Sequence, residues 1–313
     1  MSVIPLGRGP EFDRIRAIAR RLGAHAAELG DDCALLEIGE TTLALSTDVS
    51  VEGVHFRRDW LSPQEIGWRA ASAALSDLAG MGASALGVLA ALTVPPSEGP
   101  AIFAALMEGV GAASAAVGGK VLGGDLSRGE ALSLAITVVG TTARPVRRQG
   151  AQVGDRLWVT GDLGGARAAL EAWRAGRTPA PAARERFARP VPRLDAGRWL
   201  AEHGATAMLD LSDGLAGDVA HLAAASKVAL VVDVGAIPLH PDVEREAFLG
   251  GETPGVFAAR GGEDFELLVA MPRTFSGTDA IPVSAIGEVH PGAGVAFFED
   301  GFELRLSGYD HFA

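Results

Sequence analysis

Acidic residues recur in this chain beside glycine, serine or threonine, mostly where an apolar strand runs out. The stretches are Gly30-Asp31-Asp32, Ser46-Thr47-Asp48, Leu75-Ser76-Asp77, Gly123-Gly124-Asp125, Asp210-Leu211-Ser212-Asp213 and Gly261-Gly262-Glu263-Asp264. Converging carboxylates repel one another, so a fold that gathers them must put cations between them. Hard oxygen ligands of this kind suit Mg²⁺, which usually holds substrate phosphates as well. The pattern points to metal-dependent phosphate chemistry.

The rest of the sequence narrows that chemistry. Lys120 and Lys227 are the only lysines and each precedes valine, so a Walker A loop, which needs Gly-Lys-Ser/Thr, is excluded. Gly7-Arg8-Gly9 runs into Pro10-Glu11-Phe12 without the third glycine of a dinucleotide fingerprint. Metal ions would therefore supply most of the positive charge around any nucleotide phosphate. The net charge of −12 argues against nucleic acid or an anionic membrane as partner. Cys33 is the only cysteine, so there is neither an intrachain disulfide nor a cysteine zinc site. The longest apolar stretch, Ala83 to Pro96, is broken by Gly and Ser, and the N-terminus lacks a signal-peptide layout. A cytoplasmic enzyme is the expectation.

At 313 residues the chain is long enough for two domains with sizeable cores. Apolar spacing predicts a helix over 11–23 and strands over 33–38 and 42–46. Ser62-Pro63-Gln64-Glu65 is a capping box, from which a helix runs to about Leu78 and stops at Gly80-Met81-Gly82. A strand over 85–94, an Ala-rich helix over 100–117, and strands over 119–122 and 131–140 complete the first half. The basic, turn-rich stretch from Arg144 to Gly154 marks the boundary, giving domains 1–146 and 147–313. Beyond it the pattern predicts strands over 156–160, 206–210, 228–233, 265–270, 283–289 and 295–298. Helices follow from Ala166 and over 193–203 and 214–226, and the proline-rich stretch 176–192 reads as a surface excursion. The expected class is α/β (α+β mixed), each domain a mixed sheet covered by helices.

Asp77 is the most informative position. It lies near the C-terminal end of its helix, where the dipole disfavours an anion, and beside the apolar face of Ala70, Ala73 and Ala74. A carboxylate there needs a cation; a solvated helix end is the competing reading. Strand alternation sends Ser46 and Asp48 to one face and Thr47 to the other; a metal edge and an Asx-turn both fit that stretch. Gly123 and Gly124 would let backbone approach a ligand beside Asp125, or would make a tight turn. Ser212 and Asp213 stand where a strand gives way to a helix, as N-caps or as a phosphate site. His55 closely follows Ser46-Thr47-Asp48. Arg147 and Arg148 sit at the domain junction, as phosphate clamps or as a solvated loop. There is no Gly-x-Ser-x-Gly elbow, and Cys33 reads as a small buried apolar residue.

Taken in order, these segments resemble the thiamine-monophosphate kinase family of the aminoimidazole-ribonucleotide-synthetase-like ATP-binding superfamily. The resemblance runs from Glu11-Phe12 through Gly53-Val54-His55-Phe56 and Asp210-Leu211-Ser212-Asp213-Gly214-Leu215 to the closing Gly308-Tyr309-Asp310-His311-Phe312. It implies a two-domain fold of the aminoimidazole-ribonucleotide-synthetase-like kind and a homodimer. ATP and several Mg²⁺ ions would lie in a cleft, with the N-terminal domain binding both and forming the dimer. Carried over by position, Asp31, Ser46, Thr47, Asp48, Asp77, Asp125, Asp210 and Asp213 would be magnesium ligands. Gly124, Asp125, Arg148 and Ser212 would contact ATP, and His55, Glu263 and Tyr309 thiamine monophosphate. The implied reaction is ATP-dependent phosphorylation of thiamine monophosphate to thiamine diphosphate. Another ATP-dependent synthetase of the superfamily and a non-catalytic nucleotide-binding regulator are the alternatives. Two positions depart from the family pattern: Glu28 replaces a glycine, and Ala101, with Phe103 nearby, replaces an aromatic residue on the adenine.

Overall fold

Ser62 opens the helix on which the first half is built. Its hydroxyl accepts a hydrogen bond from the Glu65 amide at 3.3 Å, and the Glu65 carboxylate accepts one from the Ser62 amide at 2.9 Å. With Pro63 in the first turn, this closed box starts α2, Pro63–Gly80. The computed structural model describes residues 5–7, 9–26 and 29–309. Glu28 and the closing Asp310-His311-Phe312 lie outside the described residues.

The first half orders α1 (Pro10–Leu22), β1 (Ala34–Ile38), β2 (Thr41–Val51), α2, β3 (Ser84–Val94), α3 (Pro100–Ala116), β4 (Lys120–Arg128) and β5 (Ser133–Thr142). Its sheet runs β1-β2-β5-β3-β4, and β3 pairs with β4 in parallel. Alternation puts Val88, Ala90, Leu92, Leu134, Ile136 and Val138 on one face, buried. The opposite face leaves Leu36, Ile38, Val49 and Leu89 exposed. Helices α2 and α3 touch backbone to backbone. A Cβ on Gly67 would stand 1.9 Å from the Leu106 carbonyl oxygen, and one on Gly109 2.0 Å from that of Gln64.

The second half orders β6 (Arg156–Thr160), α4 (Gly165–Arg174), α5 (Pro181–Ala188), α6 (Leu194–Glu202), β7 (Ala207–Asp210), α7 (Leu215–Ser226) and β8 (Ala229–Asp233). There follow α8 (Val243–Gly250), α9 (Pro254–Ala259), β9 (Leu267–Met271), β10 (Val283–His290), β11 (Gly294–Glu299) and β12 (Phe302–Leu304). Its sheet runs β12-β11-β8-β10-β6-β9-β7, with β8 and β11 parallel.

Three expectations are corrected. Strand β2 does not end at Ser46 but continues to Val51, because Thr42 to Val51 pair residue by residue with β5. Strand β4 likewise runs through Gly123-Gly124-Asp125, where both glycines have extended backbones. A Cβ on Gly124 would meet the Ala90 carbonyl oxygen at 1.9 Å, so close strand packing explains that glycine better than a turn. The stretch 176–192 is not a surface excursion. Pro181 starts α5, which buries Ala183, Phe187 and Ala188 and packs on α4 and on α2 of the first half. The Trp68 indole N–H donates to the Pro190 carbonyl at 2.9 Å, and Arg184 pairs with Glu65 at 2.8 Å. Helices α5 and α6 and strand β7 all contact α2, which makes that helix the spine of both halves.

Candidate active site

The two halves meet at a cavity of about 960 Å³, lined by β2 and its following loop on one side and by helices and loops of the second half on the other. Its acidic wall is built by four separate elements. Asp31 and Asp32 precede β1, Asp48 lies within β2, Asp77 in the last turn of α2, and Asp210 ends β7. Strand alternation turns Ser46 and Asp48 toward α2. There the Ser46 hydroxyl and the Asp48 carboxylate both act on Asp77. The bare end of α2 admits Asp32, whose Oδ2 would stand 2.1 Å from a Cβ on Gly80.

The titration of these groups reflects their crowding. Burial, then the charges of Asp210, Asp48 and Asp32, raises Asp77 well above the usual carboxylate range. Burial, then the Asp32 charge, pushes Asp210 up to about 8. Burial also raises Asp32 to about 6 although the Arg148 guanidinium pulls the other way. Asp218, which takes the Asp213 amide at 3.1 Å, is raised well above its ordinary value by burial and then by Asp213. Buried Cys33 lies within this field. Burial and then Asp77 push its thiol upward, which leaves it unreactive.

The segment joining the halves is tied to the acidic wall. The Arg148 amide donates to Asp31 at 3.0 Å and its guanidinium to Asp32 at 2.6 Å, while Arg147 stands 3.6 Å from Asp31. The Ser226 hydroxyl fastens the same segment by accepting from the Gly150 and Ala151 amides, both at 3.1 Å.

Two paired loops form the facing rim. The Glu263 amide donates to the Ser212 carbonyl at 2.7 Å, and the Phe265 amide to that of Leu211 at 2.9 Å. Glu263 and Phe265 both take positive φ to do so, 66° and 51°. Gly214 is the residue that caps α7, so neither Ser212 nor Asp213 does. The Tyr309 amide donates to the Asp213 carbonyl at 3.0 Å, which brings its ring to the cavity. His55 accepts the Val51 amide at Nδ1, 3.1 Å, and also lines the cavity. The Glu263 carboxylate is paired with the buried guanidinium of Arg69, which also lies 3.8 Å over the Phe187 ring.

The site residues expected from sequence thus divide. Asp31, Asp48, His55, Arg148, Ser212, Asp213, Glu263 and Tyr309 line one cavity, with Ser46, Asp77 and Asp210 joined to its acidic wall. Thr47 and Asp125 lie on the opposite, uncovered face of the first sheet. The Thr47 hydroxyl bonds that of Thr137 at 2.8 Å, and Asp125 pairs with exposed Ala91 on β3. Gly124 lies beside Asp125 in β4, away from the cavity lining, and Ala101 and Phe103 in α3 are also absent from that lining. Sequence reasoning passed over Asp32, Asp218, Arg69 and the aromatic residues Trp60, Trp173 and Phe187. Asp32 adjoins Asp31, and Asp218 falls in the first turn of α7, so both carried a local signal.

Carboxylate oxygens gathered from both halves are a donor set for a hard cation. Asp31 Oδ2 and Asp32 Oδ2 are buried without a hydrogen-bond partner, as oxygens awaiting a cation would be. Among the described residues no three His, Cys, Asp or Glu side chains close on one point as a finished metal cage.

Residues 30–142 match the family of AIR synthase related proteins, N-terminal domain, and residues 152–299 match its C-terminal domain. Fold and site together define a member of that class. Thiamine-monophosphate kinase of Aquifex aeolicus is 33% identical over 306 residues, 96% of this chain and 98% of that protein. Thiamine-monophosphate kinase of Salmonella typhimurium is 35% identical over 320 residues, covering 96% of each. Within the class, this chain belongs to the thiamine-monophosphate kinase family. The structure of AaThiL complexed with AMPPCP and TMP is similar with a TM-score of 0.89 at 33% identity, over 96% of this chain and 97% of that one. The hydrogenase maturation protein HypE in complex with ATP shares the fold alone, at a TM-score of 0.71 and 18% identity over 97% of this chain and 96% of that one.

Proposed function

We propose that this protein transfers the γ-phosphoryl group of ATP to the phosphate of thiamine monophosphate, giving thiamine diphosphate and ADP. One observation carries the reading: carboxylates from both halves converge on a single cavity beside the segment that joins them. That composition suits an acceptor that needs no deprotonation. The monophosphate is already an anion, so catalysis reduces to alignment and neutralisation of charge.

Asp31, Asp32, Asp48, Asp77, Asp210, Asp213 and Asp218 are the residues that would hold Mg²⁺ in this reading. The metal would offset the negative charge of the phosphates and of the carboxylates facing them. The chain's own residues do the rest. Arg148 fixes Asp32 and, through its amide, Asp31, so the acidic wall keeps its shape without substrate. Ser212 on its exposed loop and Tyr309 offer a hydroxyl and a ring at the rim. Glu263 is neutralised by Arg69, so its role toward the substrate is to hold that guanidinium in place rather than to offer a bare charge.

The same reading assigns nucleotide and metal binding to residues 1–146 and completion of the cleft to 147–313. It places the enzyme in the cytoplasm; among the described residues no helix is long and apolar enough to cross a membrane. It also makes the protein a homodimer. The uncovered sheet face of Leu36, Ile38, Val49 and Leu89 is the surface a second copy would bury, and Thr47 and Asp125 lie on it. The test is ADP release with ATP, Mg²⁺ and thiamine monophosphate, the product identified by chromatography. Thiamine diphosphate that appears only with Mg²⁺ and the monophosphate, and not with free thiamine, supports the reading. ATP binding with no product on the monophosphate refutes it.

A further inference from the structure

Gly161-Asp162-Leu163-Gly164-Gly165 turns from β6 into α4, with the composition of a phosphate-holding loop at a helix N-terminus. The protein fills that place itself. Helix α4 has no capping side chain of its own. Asp264, 100 residues on, supplies one: its Oδ2 accepts the Gly164 amide at 2.8 Å, and the Ala166 amide also favours its charge. Asp264 is 3% exposed, and its Oδ1 is buried without a hydrogen-bond partner. Burial pushes its carboxyl up to about 7 against the pull of the Arg186 charge, so at pH 8 it is mostly ionised.

Asp264 stands between the two strained residues of the rim, Glu263 and Phe265, whose φ angles are 66° and 51°. Backbone of this kind persists only where its surroundings over-determine it. The rim lies directly on the first turn of α4: a Cβ on Gly261 would stand 3.2 Å from Arg167 Cβ and 3.4 Å from Gly164 Cα. The next carboxylate, Glu266, is fully buried, takes the Thr160 hydroxyl at 2.5 Å and pairs with the guanidinia of Arg186 and Arg193. Arg186 donates as well to the Asp162 carbonyl at 2.8 Å, in the turn before α4. Buried charge thus ties the rim to that turn at two successive carboxylates. What it holds faces the cavity, since the Glu263 amide pairs with the Ser212 carbonyl on the loop that carries Asp213. Resting on the kinase reading for the reaction it serves, we propose that Asp264 is a positioning residue. It is an internal anion seated at the N-terminus of α4, which keeps the rim in its left-handed form and so fixes Ser212 and Asp213 opposite the acidic wall.

The experiment compares wild type, Asp264→Ala, Asp264→Asn and Asp242→Ala at pH 8 in melting temperature, kcat and both KM values. Each is measured with sodium formate and with sodium chloride at equal ionic strength. Asp242 takes the Ala183 amide at the start of α5, 3.1 Å, and lies outside the cavity lining, so it reports the loss of a long-range cap without the rim. Asp264→Ala is expected to lose about ten-fold in kcat, with both KM values within about two-fold, because a displaced rim spoils alignment more than contact. Formate is small enough to enter the space the side chain leaves, and is expected to restore most of the kcat and part of the melting temperature where chloride restores neither. Asp264→Asn keeps an acceptor oxygen and loses the charge; a kcat about two- to three-fold lower is expected, which decides the case if the alanine variant does not fold. Asp242→Ala is expected to melt earlier with kcat within about two-fold of wild type. Unchanged kcat in both Asp264 variants overturns the assignment, as does a loss carried in KM alone. A kcat that formate leaves where chloride leaves it, or an equal kcat loss in Asp242→Ala, overturns it too. Wild-type protein that makes no thiamine diphosphate overturns the kinase reading instead; recovery of the Asp264→Ala melting temperature by formate then still upholds the seated anion, and no recovery overturns it.

Discussion

Asp210 gives the crowded acidic wall a measurable consequence when metal is withheld. Its carboxyl ordinarily titrates at 3.8 and is pushed up to about 8, first by burial and then by Asp32. Between those two values the folded state holds a proton that the unfolded chain has lost, so stability falls as pH rises through the window. From about pH 6 to about pH 8 the loss is about 2 kcal/mol, since each tenfold fall in proton activity removes at most about 1.36 kcal/mol. His221 works in the opposite sense. Burial lowers it to about 3, so its unfolded form sheds a proton as pH rises and returns about 1 kcal/mol over the same interval. The difference between wild type and Asp210→Asn cancels His221 and reads the carboxylate together with the upward push it exerts on Asp77. Thermal melts of chelator-treated protein at both pH values are expected to show wild type losing about 2 kcal/mol more than the variant, several degrees in Tm. Added Mg²⁺ is expected to cancel most of that difference, because a cation favours the ionised carboxylate. Equal pH slopes in the two metal-free proteins would refute the claim that Asp210 is crowded into its protonated form. Slopes indifferent to Mg²⁺ would refute its place beside the metal.

Asp48→Asn and Asp77→Asn are expected to lower turnover and Mg²⁺ affinity together, read from the Mg²⁺ dependence of ADP release; unchanged values in both would remove these residues from the metal set. Tyr309→Ala is expected mainly to raise the KM for thiamine monophosphate, with kcat little changed, and a pure kcat loss would place the ring elsewhere. Gly67→Ala forces a methyl to within 1.9 Å of the Leu106 carbonyl oxygen, where only backbone movement gives relief. A loss of about 3 kcal/mol in denaturant melts is expected, at the upper end for overpacking.

The sequence yielded most elements because their periodicity and caps are local. The box at Ser62 and the apolar run before Asp77 needed no knowledge of what packs around them. Polar residues inside strands were harder. Ser46-Thr47-Asp48 looked like a strand end because core strands are rarely polar, yet β2 continues there with one face on the acidic wall and the other uncovered. Alternation correctly sent Thr47 away from Ser46 and Asp48. It could not do the same for Asp125 while Gly123-Gly124 read as a turn. The proline-rich stretch 176–192 misled because proline marks loops and helix starts alike, and only the burial of Phe187 distinguishes them. Contacts such as Arg148 with Asp32, 116 residues apart, leave no trace in any local window.

The bare-backbone contacts along α2 divide the molecule by how freely it can change. Gly67 and Gly109 lock α2 to α3, Gly80 admits Asp32 at its end, and a Cβ on Gly197 would stand 2.2 Å from the Ala79 carbonyl oxygen. Each such site accepts hydrogen and nothing larger, so drift in this helix is penalised before it ever reaches the chemistry. The stacked rings of Trp60 and Trp173, which line the cavity with centroids 4.9 Å apart, are held by side chains instead. Divergence, in nature or in a selection experiment, would therefore accumulate at such side-chain contacts while the helix carrying Asp77 stayed fixed.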